Sequence, residues 1–493
     1  MSDSDGPGTL ASADRLEAQL ARELTPTTEL RTRLKEAREA LVALATRKAQ
    51  EGGIPLRTAM VCGSVARETY LPGNHDMDLF LLFDPALPAP ELERQGLALA
   101  FRILDSPEKR YAQHPYLRGR FQGFAVDAVP GYRVERGDRP LTAVDRTPFH
   151  QEYLAARLDE RLRSEIRLLK RFLRGIGVYG AETRTEGFSG YLQELLVLRH
   201  GGFRPLLQEA SRWRIPQRLA PEGPEPSVQE DAALVLADPV DPHRNVSSAV
   251  SRRSLATFIL ASAEYLKAPA REFFYPPSRP PPTPEDRQRE LSRRGSAVAG
   301  LSFPTPELVD DILYPQLRKA QRALAASLQR VGFGVLGTAS AKGDDHCIIL
   351  METTRAQVSP VHVQEGPPVG LEHAHRFLEK WSGTGPPILQ GPYITPEGRL
   401  QVEVPRTLRD LPDVIRSELP QLSVGRDLRD PVLRHGKVLD WEAIRTDAVA
   451  SVALQELWGK SLPWRPLPPG GRTRLQCLMS HRPLHASPFI LRA

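Results

Sequence analysis

Three aspartates in the first third of the chain have the residue type and spacing of a metal-assisted phosphoryl-transfer site. Asp76 and Asp78 stand one residue apart at the head of the apolar run 79–83, and Asp127 lies within the apolar segment 124–129. Mg²⁺ prefers carboxylate, phosphate and water oxygens, and two such ions can activate an attacking hydroxyl while stabilising the leaving group. The pattern therefore predicts nucleotidyl transfer from a nucleoside triphosphate.

A glycine-serine pair precedes the aspartates and is typical of a phosphate-binding turn. Gly63 allows close approach of the backbone, and Ser64 supplies a hydroxyl at the beginning of a helix, where backbone N–H groups favour phosphate. Arg67, one turn into that helix, can reach the same oxygens. An Asp-x-Asp sequence taken alone is more often a solvated loop or strand end. The Gly-Ser pair together with Asp127 favours a catalytic site.

Short strands must position these side chains. We expect three strands and one short helix: strands at 57–62, 76–83 and 124–130, the last ended by its proline, and a helix at 65–70 after the Gly-Ser turn. Strand side chains alternate between faces, so Asp76 and Asp78 point to the same side, roughly 6.6 Å apart. If the third strand lies beside the second, all three carboxylates converge.

The rest of the chain separates into further units. The first residues look disordered, a helix is expected at 25–53, and a mixed α/β unit ends near Pro148. From about 150–270 apolar residues recur at helical spacing. A proline-rich segment at 276–282 is typical of a stiff linker, and 286–493 combines a long helix with an apolar strand. The length suits three domains, and the expected fold class is multidomain α+β.

The composition excludes several classes of protein. A net charge of +6 permits a polyanionic partner without requiring one. No apolar run approaches the ~20 residues that span a bilayer, and residues 2–5 are acidic where a secretory signal is basic, so we expect a cytoplasmic protein with no membrane partner. Cys62, Cys347 and Cys477 are too few and too far apart for a disulfide framework or a zinc site, and we expect them to be buried.

A series of short motifs runs through the first half of the chain. The motifs lie at residues 63–67, 76–83, 111–116, 126–130, 143–150, 167–170, 179–182, 187–192, 238–241 and 244–246. Their order resembles that of the archaeal (class I) CCA-adding tRNA nucleotidyltransferases, members of the polymerase-β-like nucleotidyltransferase superfamily. The first two motifs are shared by the whole superfamily, whereas 146–150 and 187–192 are specific to the family. Beyond residue 300, the resemblance is limited to 310–317.

The resemblance implies an architecture and an activity. It implies a polymerase-β-like nucleotidyltransferase palm at 1–148, a helical central nucleotide-binding domain at 149–275, and an α+β C-terminal tRNA-binding body and tail at 286–493. It also implies that C, C and A are added stepwise from CTP and ATP to the 3′ end of the tRNA acceptor arm, without a nucleic-acid template. Two Mg²⁺ ions would assist the transfer, and pyrophosphate would leave. Family members are often homodimers, so a homodimer is allowed.

The site residues follow from the same match. Those implied are the catalytic metal carboxylates Asp76, Asp78 and Asp127; the triphosphate residues Gly63, Ser64 and Arg67; the nucleotide contacts His150, Lys170 and Tyr179; and Arg244, which helps to select the base. Four of these residues also have ordinary structural explanations. Outside this context His150 could satisfy a turn, Lys170 could lie on the solvated face of its helix, Tyr179 could cap a core, and Arg244 could be an exposed loop residue. Asp76 stands where some relatives carry glutamate, a change that keeps a Mg²⁺ ligand.

Two other functions remain open at this point. Another template-independent polymerase of the superfamily, such as a poly(A) polymerase, would share the three carboxylates but use a different acceptor. An RNA-binding relative that kept the fold and lost the chemistry would usually lack one of the carboxylates, and all three are present here.

Overall fold

The computed structural model describes residues 7–111, 115–135, 140–220, 226, 231–278, 281–382 and 385–465. The expectations for the acidic residues 2–5, for the middle of the 111–116 motif, for Pro280 and for Cys477 fall outside these residues. The described chain combines helices with several separate sheets, so the α+β fold class predicted from the sequence is confirmed.

The first unit is a five-stranded sheet whose order places the aspartate-bearing strands side by side. Its elements are α1 Pro7–Leu24, α2 Thr28–Glu51, β1 Leu56–Cys62, α3 Gly63–Arg67, β2 Met77–Phe83, α4 Ala89–Ile103, β3 Asp105–Tyr111, β4 Pro115–Phe121 and β5 Phe124–Tyr132. The strand order is β1-β2-β5-β4-β3, with β2 and β5 parallel and the other neighbours antiparallel. Residues 79–83 of β2 are buried, which fixes this strand in the sheet.

The helix expected at 25–53 is present as α2, which covers one face of the sheet. The Thr27 side chain accepts a hydrogen bond from the Leu30 N–H, which satisfies one of the free donors at the beginning of the helix. Leu34, Ala37 and Leu41 recur at helical spacing and are buried in the same core as β1, β2 and β5. This face of α2 therefore supports the strands that carry the site.

Three boundaries near the aspartates differ from the sequence-based expectation. β2 begins at Met77, so Asp76 lies just before the strand. α3 ends at Arg67 instead of residue 70, because Glu68 takes a left-handed conformation (φ 57°) that terminates the helix. β5 continues through Pro130 to Tyr132, because β4 no longer flanks this stretch and a missing N–H is tolerated there.

The second unit is helical, as expected for residues 150–270. Its elements are α5 Thr147–Ala155, α6 Glu160–Gly175, α7 Gly190–His200, α8 Phe203–Ala210, β6 Gln217–Arg218, β7 Leu234–Val235, β8 Ala237–Asp238, β9 Asp241–Asn245 and α9 Arg252–Lys267. Phe172 of α6 makes ring contacts with Phe203, Phe258 and Tyr265 at centroid distances of 5.4 to 6.4 Å. This aromatic cluster is the centre of the second core.

The beginning of the described chain is helical, so the expectation of a disordered start is wrong for α1. Leu20 and Leu24 of α1 are buried in the core of the second unit, and α1 packs against α6. The helix is stabilised by this long-range packing, and Leu16, Leu20 and Leu24 already recur at helical spacing in the sequence.

The third unit contains a four-stranded sheet in the order β11-β12-β10-β16 and a three-stranded sheet in the order β13-β15-β14. Its elements are α10 Pro284–Arg294, β10 Ala297–Pro304, α11 Asp310–Val331, β11 Val335–Lys342, β12 His346–Thr353, β13 Val361–Pro368, α12 His373–Lys380, β14 Gln390–Ile394, β15 Arg399–Pro405, α13 Leu411–Glu418, α14 Arg429–His435, β16 Lys437–Leu439, α15 Trp441–Thr446 and α16 Ala448–Trp458. Cys347 on β12 is buried, as is Cys62 on β1.

Across the described ranges, every helix is too short or too polar to cross a lipid bilayer.

Candidate active site

Gly63 brings the beginning of α3 against the side chain of Asp78. β1 ends at Cys62, which pairs in register with Asp78 on β2, and the chain then turns through Gly63 with a φ of +75°. A Cβ atom at this position would overlap the Asp78 carboxylate. Glycine is therefore required twice, for the left-handed backbone and for the contact.

Asp78 and Asp127 lie directly opposite each other on neighbouring strands. β2 and β5 run parallel, and their register pairs the two aspartates. Neighbouring strands are about 4.8 Å apart, so both side chains, which leave the sheet on the same face, are neighbours. Asp127 is 19% exposed, and its Oδ1 is buried without a hydrogen-bond partner. Such an atom is costly unless a cation or a donor meets it.

The pKa values of both carboxyls respond to this arrangement. Burial, and after it the charge of Asp127, raises the pKa of Asp78 to about 6. Burial also raises the pKa of Asp127, and Asp76 adds to the effect, while the Arg118 guanidinium opposes it. Carboxyl groups held together out of water resist ionisation because their negative charges repel each other. A bound divalent cation would reverse this effect and favour the ionised carboxylates.

Arg118 lies between Asp76 and Asp127. It stands on β4 in register with Asp127, donates from Nη2 to Asp76 Oδ2 at 2.5 Å, and donates from Nη1 to Asp127 Oδ2 at 3.3 Å. Within the described part of the chain, no three or more His, Cys, Asp or Glu side chains are arranged to hold a metal ion as they stand. The three aspartates are brought together with a guanidinium among them.

Arg67 is buried at the junction with the second unit. Its Nη2 lies 2.9 Å from Glu194 Oε2 on α7, and its Nη1 donates to Gln151 Oε1 on α5 at 2.6 Å. The Arg67 and Glu194 side chains are 8% and 1% exposed. Arg67 thus ties α3, which begins at Gly63 and Ser64, to two helices of the second unit.

Lys170 and Tyr179 lie near the same ion pair. Lys170 is buried and donates to the Thr69 carbonyl at 2.9 Å, so the solvated-face explanation is wrong. Burial lowers the pKa of Lys170 to about 8, although the Glu194 charge opposes that shift. Tyr179 is partly buried, with the Arg174 guanidinium 4.6 Å from its ring centroid, and burial raises its pKa.

His150 and Arg244 meet at a third group, centred on the fully buried carboxylate of Asp238. His150 Nε2 lies 2.9 Å from Asp238 Oδ2, Arg244 Nη1 donates to Oδ2 at 2.8 Å, and the Tyr191 hydroxyl donates to Oδ1 at 3.0 Å. The His150 and Tyr191 rings stack with centroids 3.9 Å apart. Burial alone would raise the pKa of Asp238, but the hydrogen bonds from His150 and Arg244 lower it.

Sequence reasoning missed three residues that organise these groups: Arg118, Glu194 and Asp238. Arg118 alternates with small and apolar residues in a strand whose partner could not be known in advance. Glu194 gave a detectable signal, since an acid between Leu192 and Leu196 on an apolar helix needs a buried partner. Asp238 falls in the motif 238–241 but was given no role.

Three known protein domains match successive parts of the chain. Residues 50–150 match the nucleotidyltransferase domain, 164–275 match the second domain of tRNA nucleotidyltransferases, and 294–440 match the C-terminal domain of CCA-adding enzymes.

Relatives that align with most of the chain agree with these matches. The chain is 40% identical to the CCA-adding enzyme of Methanoregula boonei over 389 residues, 78% of this chain and 83% of that protein. It is 39% identical to the CCA-adding enzyme of Halorubrum lacusprofundi over 82% of this chain and 90% of that protein. For the CCA-adding enzyme of Thermococcus gammatolerans the identity is 36%, over 86% of this chain and 94% of that protein.

The α+β fold and the matched catalytic domain make this chain a nucleotidyltransferase. With relatives of this identity over most of its length, it belongs to the family of CCA-adding enzymes. The family resemblance and the enzyme class predicted from the sequence are confirmed.

Gly63→Ala should destabilise the protein more than Gly73→Ala. Both glycines have positive φ values, +75° and +81°, but only at Gly63 does an added Cβ meet Asp78, whereas Gly73 faces open space. We expect an extra cost of about 1–3 kcal/mol in urea unfolding, together with loss of activity as Asp78 is displaced. Equal unfolding free energies for the two variants would contradict the proposed contact.

Asp78→Asn should stabilise the metal-free protein at pH 7. The folded-state pKa is raised from 3.8 to about 6, so ionised Asp78 costs stability above pH 6, and the cost disappears as the pH falls towards 3.8. Unfolding in EDTA should show a gain of about 1–3 kcal/mol at pH 7 that shrinks below pH 6. The exposed Asp84, whose pKa is lowered by hydrogen bonds from the Ala86 N–H and Arg57, is the control, and Asp84→Asn should give no gain. A destabilised Asp78→Asn protein at pH 7 would refute this electrostatic account.

Proposed function

We propose that this chain adds C, C and A, from CTP and ATP, to the 3′ end of tRNA without a nucleic-acid template. Its membership of the CCA-adding enzymes supports the reaction, and the matched second and C-terminal domains support a tRNA substrate. The observation that carries the proposed site is the in-register placement of Asp78 and Asp127 beside the Gly63 turn.

Asp76, Asp78 and Asp127 are the proposed ligands of two Mg²⁺ ions. The fit rests on two features: Asp127 Oδ1 is buried without a partner, and the carboxylates repel each other without a cation. Hard oxygen donors suit Mg²⁺, which when bound would lower the pKa of the attacking hydroxyl and stabilise charge on the departing phosphate. Glycine at position 63 lets the α3 backbone approach this cluster.

The reaction forms one bond and breaks one. The terminal hydroxyl of the RNA attacks the α-phosphorus, the bond from that phosphorus to the bridging oxygen of the β-phosphate breaks, and pyrophosphate leaves. The proton of the attacking hydroxyl leaves to solvent as the new bond forms, because the free Asp127 Oδ1 is the oxygen offered to the cation. The apolar residues 79–83 hold β2 rigid, so the carboxylates need little reorganisation.

We assign the predicted nucleotide residues to two parts of the substrate. Ser64 and Arg67 of α3 are the proposed triphosphate contacts, and Lys170 and Tyr179, which lie near Glu194, are proposed contacts to the incoming nucleotide. His150 and Arg244 are the proposed contacts to the incoming nucleotide, and Asp238 holds both of them in place. In this proposal Arg67 either exchanges its buried bond to Glu194 for phosphate oxygen or keeps it and acts through its charge.

The three predicted domains are given corresponding roles. We assign catalysis to 1–148, nucleotide binding to the helical unit at 149–275, and tRNA binding to 286–493. Each of the three domain matches falls almost entirely in one unit, which supports the assignment. A cytoplasmic location and a homodimeric assembly stay predictions from the sequence.

Replacing a proposed metal ligand should abolish turnover while leaving the fold intact. Asp78→Ala removes a carboxylate from the site and no core residue, so incorporation of labelled CTP into end-trimmed tRNA should fall by at least about a thousandfold, with tRNA binding nearly unchanged. Asp84→Asn, on the residue that follows β2, is the control and should keep normal turnover. Unchanged incorporation by Asp78→Ala would refute the metal-site assignment.

The dependence of incorporation on CTP and ATP separates CCA addition from the two alternative functions. Given end-trimmed tRNA and CTP alone, the protein should stop after completing the C positions, and ATP added next should contribute a single A. Long A tails would indicate a poly(A) polymerase. Tight tRNA binding without any Mg²⁺-dependent incorporation would indicate a binding protein that has lost the chemistry.

A further inference from the structure

Arg118 bridges two of the proposed metal ligands through one guanidinium group. Arg118 and Asp127 are register partners on β4 and β5, and Asp76 approaches from the loop before β2. The distances are 2.5 Å from Nη2 to Asp76 Oδ2 and 3.3 Å from Nη1 to Asp127 Oδ2. The guanidinium therefore lies where a shared cation would bind both carboxylates.

Other cations near the cluster are committed elsewhere. Arg67 is paired with Glu194, Lys170 donates to the Thr69 carbonyl, and Arg110 is paired with Glu108. Among the described residues, Arg118 is the cation that donates directly to the aspartates of the cluster. Arg67 and Lys170 act on Asp78, and Arg110 on Asp127, through their charge and not through a hydrogen bond to the carboxylates.

The bridge is accessible and can be broken at low cost. The side chains of Arg118 and Asp76 are each 41% exposed, and ion pairs with this exposure contribute little net stability because water and salt screen them. Asp127 is much less exposed and keeps one oxygen free of hydrogen bonds. An incoming cation would gain a partner for that oxygen and displace only the exposed half of the bridge.

We propose that Arg118 is a positioning residue that stands in for the divalent cation in the metal-free enzyme. It holds Asp76 and Asp127 together against their mutual repulsion, and it must withdraw towards solvent before both carboxylates can bind Mg²⁺. Metal affinity is therefore set by competition with this guanidinium. The inference rests on the proposed metal role of the three aspartates.

The test measures Mn²⁺ binding directly, without nucleotide or tRNA, from the EPR signal of the free ion. Arg118→Gln removes the competing charge and should bind Mn²⁺ about three- to tenfold more tightly than the unchanged protein, the scale of one exposed charge pair near 4 Å. Its unfolding temperature in EDTA should fall, and the upward shift caused by Mn²⁺ should grow. Arg120→Gln is the matched control, because Arg120 lies two positions along β4 on the same face and donates to the Gly123 carbonyl. Its Mn²⁺ affinity should not change.

Two further variants make each outcome decisive. Arg118→Lys keeps the charge but lacks the two-armed guanidinium, so it should tighten Mn²⁺ binding by a smaller factor, and it replaces Arg118→Gln if that variant does not fold without metal. Asp127→Asn should weaken Mn²⁺ binding. If it does and neither Arg118 variant binds more tightly, the stand-in role is overturned and the metal site survives. If Asp127→Asn binds Mn²⁺ normally, both proposals fail.

Discussion

The parallel pairing of β2 and β5 is the constraint on which the site depends. It holds Asp78 and Asp127 in register about 4.8 Å apart, in a sheet whose interior leaves neither strand free to shift. Burial and the charge of Asp127 raise the pKa of Asp78, burial and the charge of Asp76 raise the pKa of Asp127, and the cluster needs positive charge nearby. The arrangement is unfavourable for stability and suited to binding cations, a trade-off often found at active sites.

One buried carboxylate connects the catalytic unit to the helical unit, and another organises side chains within the helical unit. Glu194 binds Arg67 from α3, and Asp238 gathers His150, Tyr191 and Arg244. Each pairs with a cation or with hydrogen-bond donors, as an ionised group removed from water must. Breaking such a pair leaves an uncompensated charge, so these contacts fix the relative positions of the side chains that the sequence assigns to the nucleotide. In the proposed site, nucleotide selection therefore depends also on Glu194 and Asp238, which position the proposed contacts.

Much of the catalytic unit could be predicted from the sequence, because its signals are local. The apolar run 79–83 and the alternation in 124–129 indicated the two strands, and Gly63 indicated the turn at which a side chain has no room. The family motifs then gave the nucleotidyltransferase fold and the CCA-adding class. The expectation that Pro130 ends its strand is wrong, because a proline is tolerated where one neighbouring strand has already stopped.

The remaining features depend on contacts between distant segments, which periodicity does not encode. The position of α1 depends on Leu20 and Leu24, which pack into a core formed mainly by residues more than a hundred positions away. Arg118 contacts Asp127 only because β4 pairs with β5, and Asp238 contacts His150 and Tyr191 only because β8 lies against α5 and α7. In the C-terminal unit the two sheets contain strands with few motifs, so their order could not be inferred in advance.

The most direct test of the central claim is a crystal structure with Mn²⁺ and CTP, in which anomalous scattering locates the metal. We expect anomalous peaks next to carboxylate oxygens of Asp76, Asp78 and Asp127, with Arg118 moved away from Asp76. Metal bound elsewhere, or Asp127 without contact to it, would rule out the proposed metal site.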